Sequence, residues 1–169
     1  MMDTDTRDRT PNIGRALLAG IFGGFLAFYM KAGSEAMFPP MTPDRTSPPG
    51  GVFDWFGIDM STLTYTFSQQ SVNWGAMAFG VAFSVGVALV YCVIVEYIPR
   101  AAMWLGVLFG ITVTIGFHGI VLPVFGLTPA AWNLPFDEIF SQTFGHIVWA
   151  VVIELARRQV MGDWRRARS

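Results

Sequence analysis

The sequence predicts an all-α integral membrane protein, a bundle of four transmembrane helices with both termini cytoplasmic. Three observations carry that expectation. Of 169 residues only 14% are charged while 53% are hydrophobic, and the mean hydropathy is +0.46; a soluble globule carries about 25% charged residues. Four apolar runs reach the roughly 17 to 25 residues that a helix needs to cross a bilayer. The basic residues are also sorted to one side of those runs, as the positive-inside rule requires.

The first span covers approximately residues 13–38, with its apolar heart at Ala16 to Met30. Ala32, Gly33 and Ser34 resemble a signal-cleavage site, but the run is flanked by Lys31 and Glu35 and is longer than a signal core, so it reads as a retained span. The outer loop 39–72 opens with PPMTPDRTSPPGG, which reads as extended and irregular, and continues with FDWFGIDM, aromatics suited to the headgroup layer. That loop is either a lid over an outward-facing cavity or an anchor through Trp55 and Trp132, and anchoring is the simpler expectation. The second span, 73–97, holds no formal charge before Glu96 and stops at Pro99. The third, 101–125, contains His118 as its one ionisable group. A short outer loop, 126–136, lies between Gly126 and the fourth span, 137–156, whose first turn has Asp137 and Glu138 where the helix dipole favours anions. All four runs are continuously apolar instead of alternating, which excludes a barrel. The whole chain is a single membrane domain with a cytoplasmic basic tail, 157–169.

Orientation rests on nine of the 11 basic residues: Arg7, Arg9, Arg15, Arg100, Arg157, Arg158, Arg165, Arg166 and Arg168. The opposite side holds Asp44, Asp54, Asp59, Asp137 and Glu138. The formal net charge of -1 offers no field for nucleic acid, and the arginine-rich tail with Trp164 suits anionic lipid headgroups. The single cysteine, Cys92, allows no internal disulfide.

Helices in lipid associate over small residues. The first span offers Gly20 and Gly24; the second has two stripes, Ala76, Gly80, Ser84, Ala88 and Ala78, Ala82, Gly86. The third has Ala102, Gly106, Gly110 and Thr114 at intervals of four, ending on His118. Stripes on more than one face suit a homo-oligomer as well as internal packing.

Ionisable groups inside a span are costly and need a partner or a purpose. At 1.5 Å per residue, Lys31, Glu35, His118 and His146 all fall in the outer half of the membrane. Histidine changes charge between pH 5 and 8, and a lysine–carboxylate pair responds to it, so these four are the candidate proton-responsive residues. Glu96 with Arg100, and Glu154 with Arg157 and Arg158, read as inner-edge ion pairs that end helices. No HxxxH spacing marks a metal site, no cofactor is expected, and neither GxSxG, HExxH nor a phosphate loop is present.

With these residues in view, the chain resembles the YagU-like family of bacterial inner-membrane proteins. The resemblance runs from about Lys31 to Arg158 and rests on KAGSE with the Pro39-Pro40 pair, on FSVGVALVYCVIVEYIP, and on GLTPAAWNLPFDE leading to FGHIVWAVVIELARR. The family pattern covers Lys31, Glu35, Glu96, His118, Gly126, Pro129, Gly145, His146 and Glu154. Where the pattern has arginine after the double proline this chain has Met41, and Arg45 is the available substitute. The resemblance implies a multi-span inner-membrane protein, loosely associated with acid tolerance, and no established reaction.

The leading expectation is therefore a non-enzymatic inner-membrane protein whose proton-responsive site senses acid or passes protons or small ions. The alternatives are a scaffold that binds lipid or a partner membrane protein through its glycine stripes, and an intramembrane metal-dependent enzyme.

Overall fold

A computed structural model describes residues 11–162. The chain is mostly helical, and four segments among the described residues are long and apolar enough to cross a membrane: Ile13–Met37, Trp74–Tyr97, Pro99–Val124 and Phe136–Met161. Arg7, Arg9, Trp164, Arg165, Arg166 and Arg168 lie outside the described residues.

Helix α1 (Ile13–Met37) begins where the Asn12 side chain accepts the Arg15 N–H. A short helix α2 (Pro48–Trp55) follows, with Ser47 as its cap and two prolines in its first turn. Strands β1 (Thr64–Phe67) and β2 (Gln70–Asn73) pair antiparallel, Phe67 opposite Gln70. Ser68 and Gln69 both take positive φ in the two-residue turn, as the twist of a tight hairpin requires. Asn73 then caps α3 (Trp74–Tyr97).

This region corrects the expectation of an irregular outer loop in an all-α chain. The Ser-Pro-Pro start favours a helix that the proline count concealed. The alternation in TYTF and QSVN was too short to register as strands.

The third span is also not one uniform α-helix. After Pro99 the chain makes 3-10 turns to Gly106, with Trp104 and Leu105 at φ of 53° and 55° and Gly106 at 80°. Helix α4 (Val107–Val113) starts only there, and Thr114–Val121 continues as a π-helix before a last turn, α5 (Leu122–Val124). Thr112 and Thr114 donate their hydroxyls to the carbonyls of Leu108 and Gly110, a back-bonding that bends helices. Gly106 precedes the regular helix but still packs on α6, where a Cβ would stand 3.0 Å from the Ala150 carbonyl oxygen. It occupies a left-handed entrance that an L side chain strains to adopt.

Helix α6 (Phe136–Met161) runs five residues past the expected end at residue 156, closing on Gly162 at positive φ. Arg157 and Arg158 did not end it because both are paired to Glu154.

The helices meet over small residues. A Cβ at Gly24 would stand 2.6 Å from the Val85 Cα, one at Gly20 2.7 Å from the Leu89 Cα, and one at Gly110 2.6 Å from the His146 carbonyl oxygen. Phe28 fills the space at Gly80. Those contacts run α1 antiparallel to α3 and α4 antiparallel to α6. Gly86 differs: no described residue comes within 4 Å of a Cβ there, because it lies with Ala78 and Ala82 on the exposed face of α3.

Candidate functional site

The four titratable residues singled out in the sequence line one cavity of about 600 Å³. Lys31 and Glu35, one turn apart on α1, form an ion pair. The stem of Lys31 runs beside Gly145, where a Cβ would touch its Cγ at 3.6 Å. His118, on the π-helical stretch, and His146, on α6, bring their ring centroids to 5.0 Å at 63°. Lys31 lines the same cavity as both rings.

The His146 ring has a defined tautomer. Its Nδ1 donates to the Gln142 carbonyl at 2.7 Å, leaving Nε2 as the acceptor of the neutral ring. His118 Nδ1 is buried with no partner among the described residues, as is Thr128 Oγ1, which belongs to the same lining. Unpartnered buried polar atoms are uncommon and call for an explanation.

The segment between α1 and α2 straps across this cavity. Ser141 donates to the Phe38 carbonyl, Gln142 Nε2 donates to the Pro40 carbonyl at 3.1 Å, and Arg45 pairs with Glu138. Sequence reading assigned Glu138 to the helix dipole alone; it is instead buried against an arginine 93 residues away. Over the strap lies α2, with Phe53 edge-on to Phe79 and Trp55 tilted on Phe125. Pro40 of the strap and Pro48, Pro49 and Trp55 of α2 line the cavity, so this loop covers it, while Trp132 stands 83% exposed.

A second polar cluster lies two turns further along α6. Glu154, 0% exposed, accepts from Tyr91 OH at 2.9 Å, from Arg157 Nε at 2.8 Å and from Arg158 Nε at 2.6 Å. Arg157 Nη1 reaches Glu96 at 3.9 Å, and Glu96 also accepts the Asn12 amide. Glu154, Arg157 and Arg158 therefore meet as expected in the sequence, with Tyr91 and Asn12 added. Arg100 does not join: no ion pair is found for it among the described residues, since Pro99 ends α3 and breaks the i,i+4 spacing to Glu96. Signals for Tyr91, Gln142 and Arg45 were weak, because a hydroxyl, an amide and a loop arginine gain meaning only from distant partners.

Between the clusters Trp149 donates to Ser84, which donates to the Gly24 carbonyl at 2.7 Å. No group of three or more His, Cys, Asp or Glu placed to hold a metal ion occurs among the described residues.

Residues 25–155 match the family described as "Protein of unknown function (DUF1440)". The chain belongs to the DUF1440 family. It is similar to the inner membrane protein YagU of Escherichia coli (strain K12), at 31% identity over 87% of this chain and 84% of that protein. No solved structure matches it. The stretch shared with DUF1440 includes Lys31, Glu35, His118 and His146, together with Arg45 and Glu138.

Proposed function

We propose that this DUF1440 member is a non-enzymatic bacterial inner-membrane protein, both termini cytoplasmic, whose cavity is a proton-responsive site used under acid stress. One observation carries the reading: two histidines from different helices touch at 5.0 Å inside a cavity that also holds the Lys31–Glu35 pair. Protonating either ring places a cation beside the other ring and near Lys31, a repulsion that a water-poor site screens weakly. Relief comes from moving α6 against the π-helical stretch, and π segments are recurrent at functional sites. The cavity faces the periplasm in the N-in, C-in orientation, which puts the sensor on the side where external acid arrives.

The test is an imidazole NMR titration of the protein in nanodiscs, alongside acid survival of cells carrying His118→Gln or His146→Gln. The expected result is one imidazole titrating between pH 3 and 8, with its transition changed by substituting the other and survival reduced. If neither ring titrates and both variants survive acid as the parent does, the reading is wrong. Proteoliposome proton flux lost in both variants would assign conduction instead of sensing.

A second reading has its own observation. Ala78, Ala82 and Gly86 leave a small-residue stripe on the exposed face of α3. Such a stripe supports a homo-oligomer, or a partner span, packed there. Cross-linking at Ala82→Cys in membranes distinguishes a second copy of this chain from another protein.

A further inference from the structure

We infer that the cavity binds an amphiphilic monocarboxylate together with one proton. This rests on the proton-responsive reading of His118 and His146 and names what the site takes up.

The walls favour an apolar body. Phe28, Phe79, Phe83, Phe117 and Trp149 surround a space of about 600 Å³, within the roughly 300 to 1,000 Å³ that ligand pockets occupy. The paired imidazoles of His118 and His146 and the Lys31–Glu35 pair share that lining, and a few polar groups among rings is the arrangement that fixes an amphiphile's head while its tail rests on rings.

The charge of the site decides the head group. The charged groups of the lining are Lys31 and Glu35 from α1 and Arg45 from the strap, the last paired to Glu138 of α6, whereas α3 contributes Ser84 and apolar side chains. The four formal charges form two closed pairs, so the site is neutral when the rings are neutral. A bare anion or a bare proton leaves an uncompensated charge against a largely apolar lining, and that is costly. An anion and a proton arriving together do not. The carboxylate then lies against the imidazolium, and His118 Nδ1, which has no partner among the described residues, supplies a hydrogen-bonding atom for it. In the entering acid the O–H bond breaks as the imidazole N–H forms, so nothing beyond the acid and its own proton is needed.

Binding is measured with decanoate and 4-phenylbutyrate against their neutral isosteres decanol and 4-phenylbutanol, with protein in nanodiscs and empty nanodiscs subtracted. Two carboxylates of different body separate an alkyl from an aromatic preference. Uptake of one proton predicts about a tenfold gain in carboxylate affinity for each unit of falling pH between 8 and 7, and about one proton per ligand by calorimetry in buffers of different ionisation enthalpy. The alcohols are expected to bind without pH dependence and more weakly below pH 7. In the His118→Gln, His146→Gln double variant the pH dependence is lost, and its wild-type-like circular dichroism guards against simple misfolding. Alcohols that bind as well as the acids, or acid binding that ignores pH, overturn the inference and leave the proton-responsive reading standing when the ligand-free imidazoles still titrate. Imidazoles that do not titrate at all, with or without ligand, overturn both.

Discussion

Gly24→Ala is the sharpest test of how the helices are held. The added methyl would stand 2.6 Å from the Val85 Cα and 2.9 Å from the Ser84 carbonyl oxygen, both backbone atoms, so no side chain can swing away to admit it. Restoring an ordinary contact of about 3.4 Å requires α1 and α3 to part by about 0.8 Å. Overpacking of this kind costs about 1 to 3 kcal/mol. The parting also strains the bond from Ser84 Oγ to the Gly24 carbonyl, 2.7 Å, and through Ser84 the bond from Trp149. Hydrogen bonds between membrane helices contribute about 0.6 kcal/mol on average, so the expected loss is about 2 to 4 kcal/mol. Steric-trapping unfolding in micelles reads it, with Gly33→Ala on the same helix as the control because no described residue lies within 4 Å of a Cβ there. Equal stability of Gly24→Ala and the parent, or equal destabilisation by Gly33→Ala, would refute the assignment of the α1–α3 contact.

The same assay ranks the polar cluster on Glu154. Glu154→Ala leaves Arg157 short of its nearest carboxylate and is expected to cost about 3 to 5 kcal/mol, whereas Tyr91→Phe removes one donor to a charged group, about 1.5 to 3 kcal/mol; the reverse order would mean that the arginines are neutralised elsewhere. Arg45→Ala strips Glu138 of the partner that ties down the strap, so limited proteolysis between residues 38 and 63 in membrane vesicles is expected to speed up, and an unchanged rate counts against the strap. Outside the spans, the Ser61 hydroxyl and amide hold the Asp59 carboxyl below its ordinary value. A depressed carboxyl stabilises its turn above the unfolded value near 4 and loses that contribution as pH falls through the folded value. Exchange of the Ser61 amide should therefore accelerate only below about pH 4, and Asp59→Asn should flatten the profile.

What the sequence made legible followed from one-dimensional rules. Apolar length located all four spans, because a helix in hydrocarbon must satisfy its own backbone. The titratable residues stood out since each is costly in lipid. Spacing along one helix was less reliable. Gly106 continues a four-residue stripe and does pack on α6, yet Pro99 and the left-handed turn at Trp104 and Leu105 set it before the regular helix and not within it. Gly80 and Gly86 looked equivalent until the fold put one beneath Phe28 and the other on the exposed face of α3. Glu138 and Arg45 were illegible as a pair, as no rule of local spacing relates residues 93 apart.

The two buried polar clusters bear on whether the site senses protons or conducts them. His146 and Glu154 are eight residues apart on α6, about 12 Å along its axis. Phe109 occupies the interval, its ring 4.5 Å from that of Tyr91 and stacked 6.1 Å from that of Trp149. The polar atoms at the cavity's edge of this aromatic layer are already engaged, the Trp149 N–H on Ser84 and the Ser84 hydroxyl on the Gly24 carbonyl. A proton leaving the imidazoles toward Glu154 would have to break both bonds and pass the ring of Phe109, which has no acceptor, before reaching the Tyr91 hydroxyl. A charge change at the imidazoles meets no such obstacle to acting mechanically, because the His146 carbonyl is itself in backbone contact range of Gly110. Displacement of α6 there is transmitted to α4 at once. Within the proposed proton-responsive reading, this geometry supports a helix shift over passage of the proton toward Glu154.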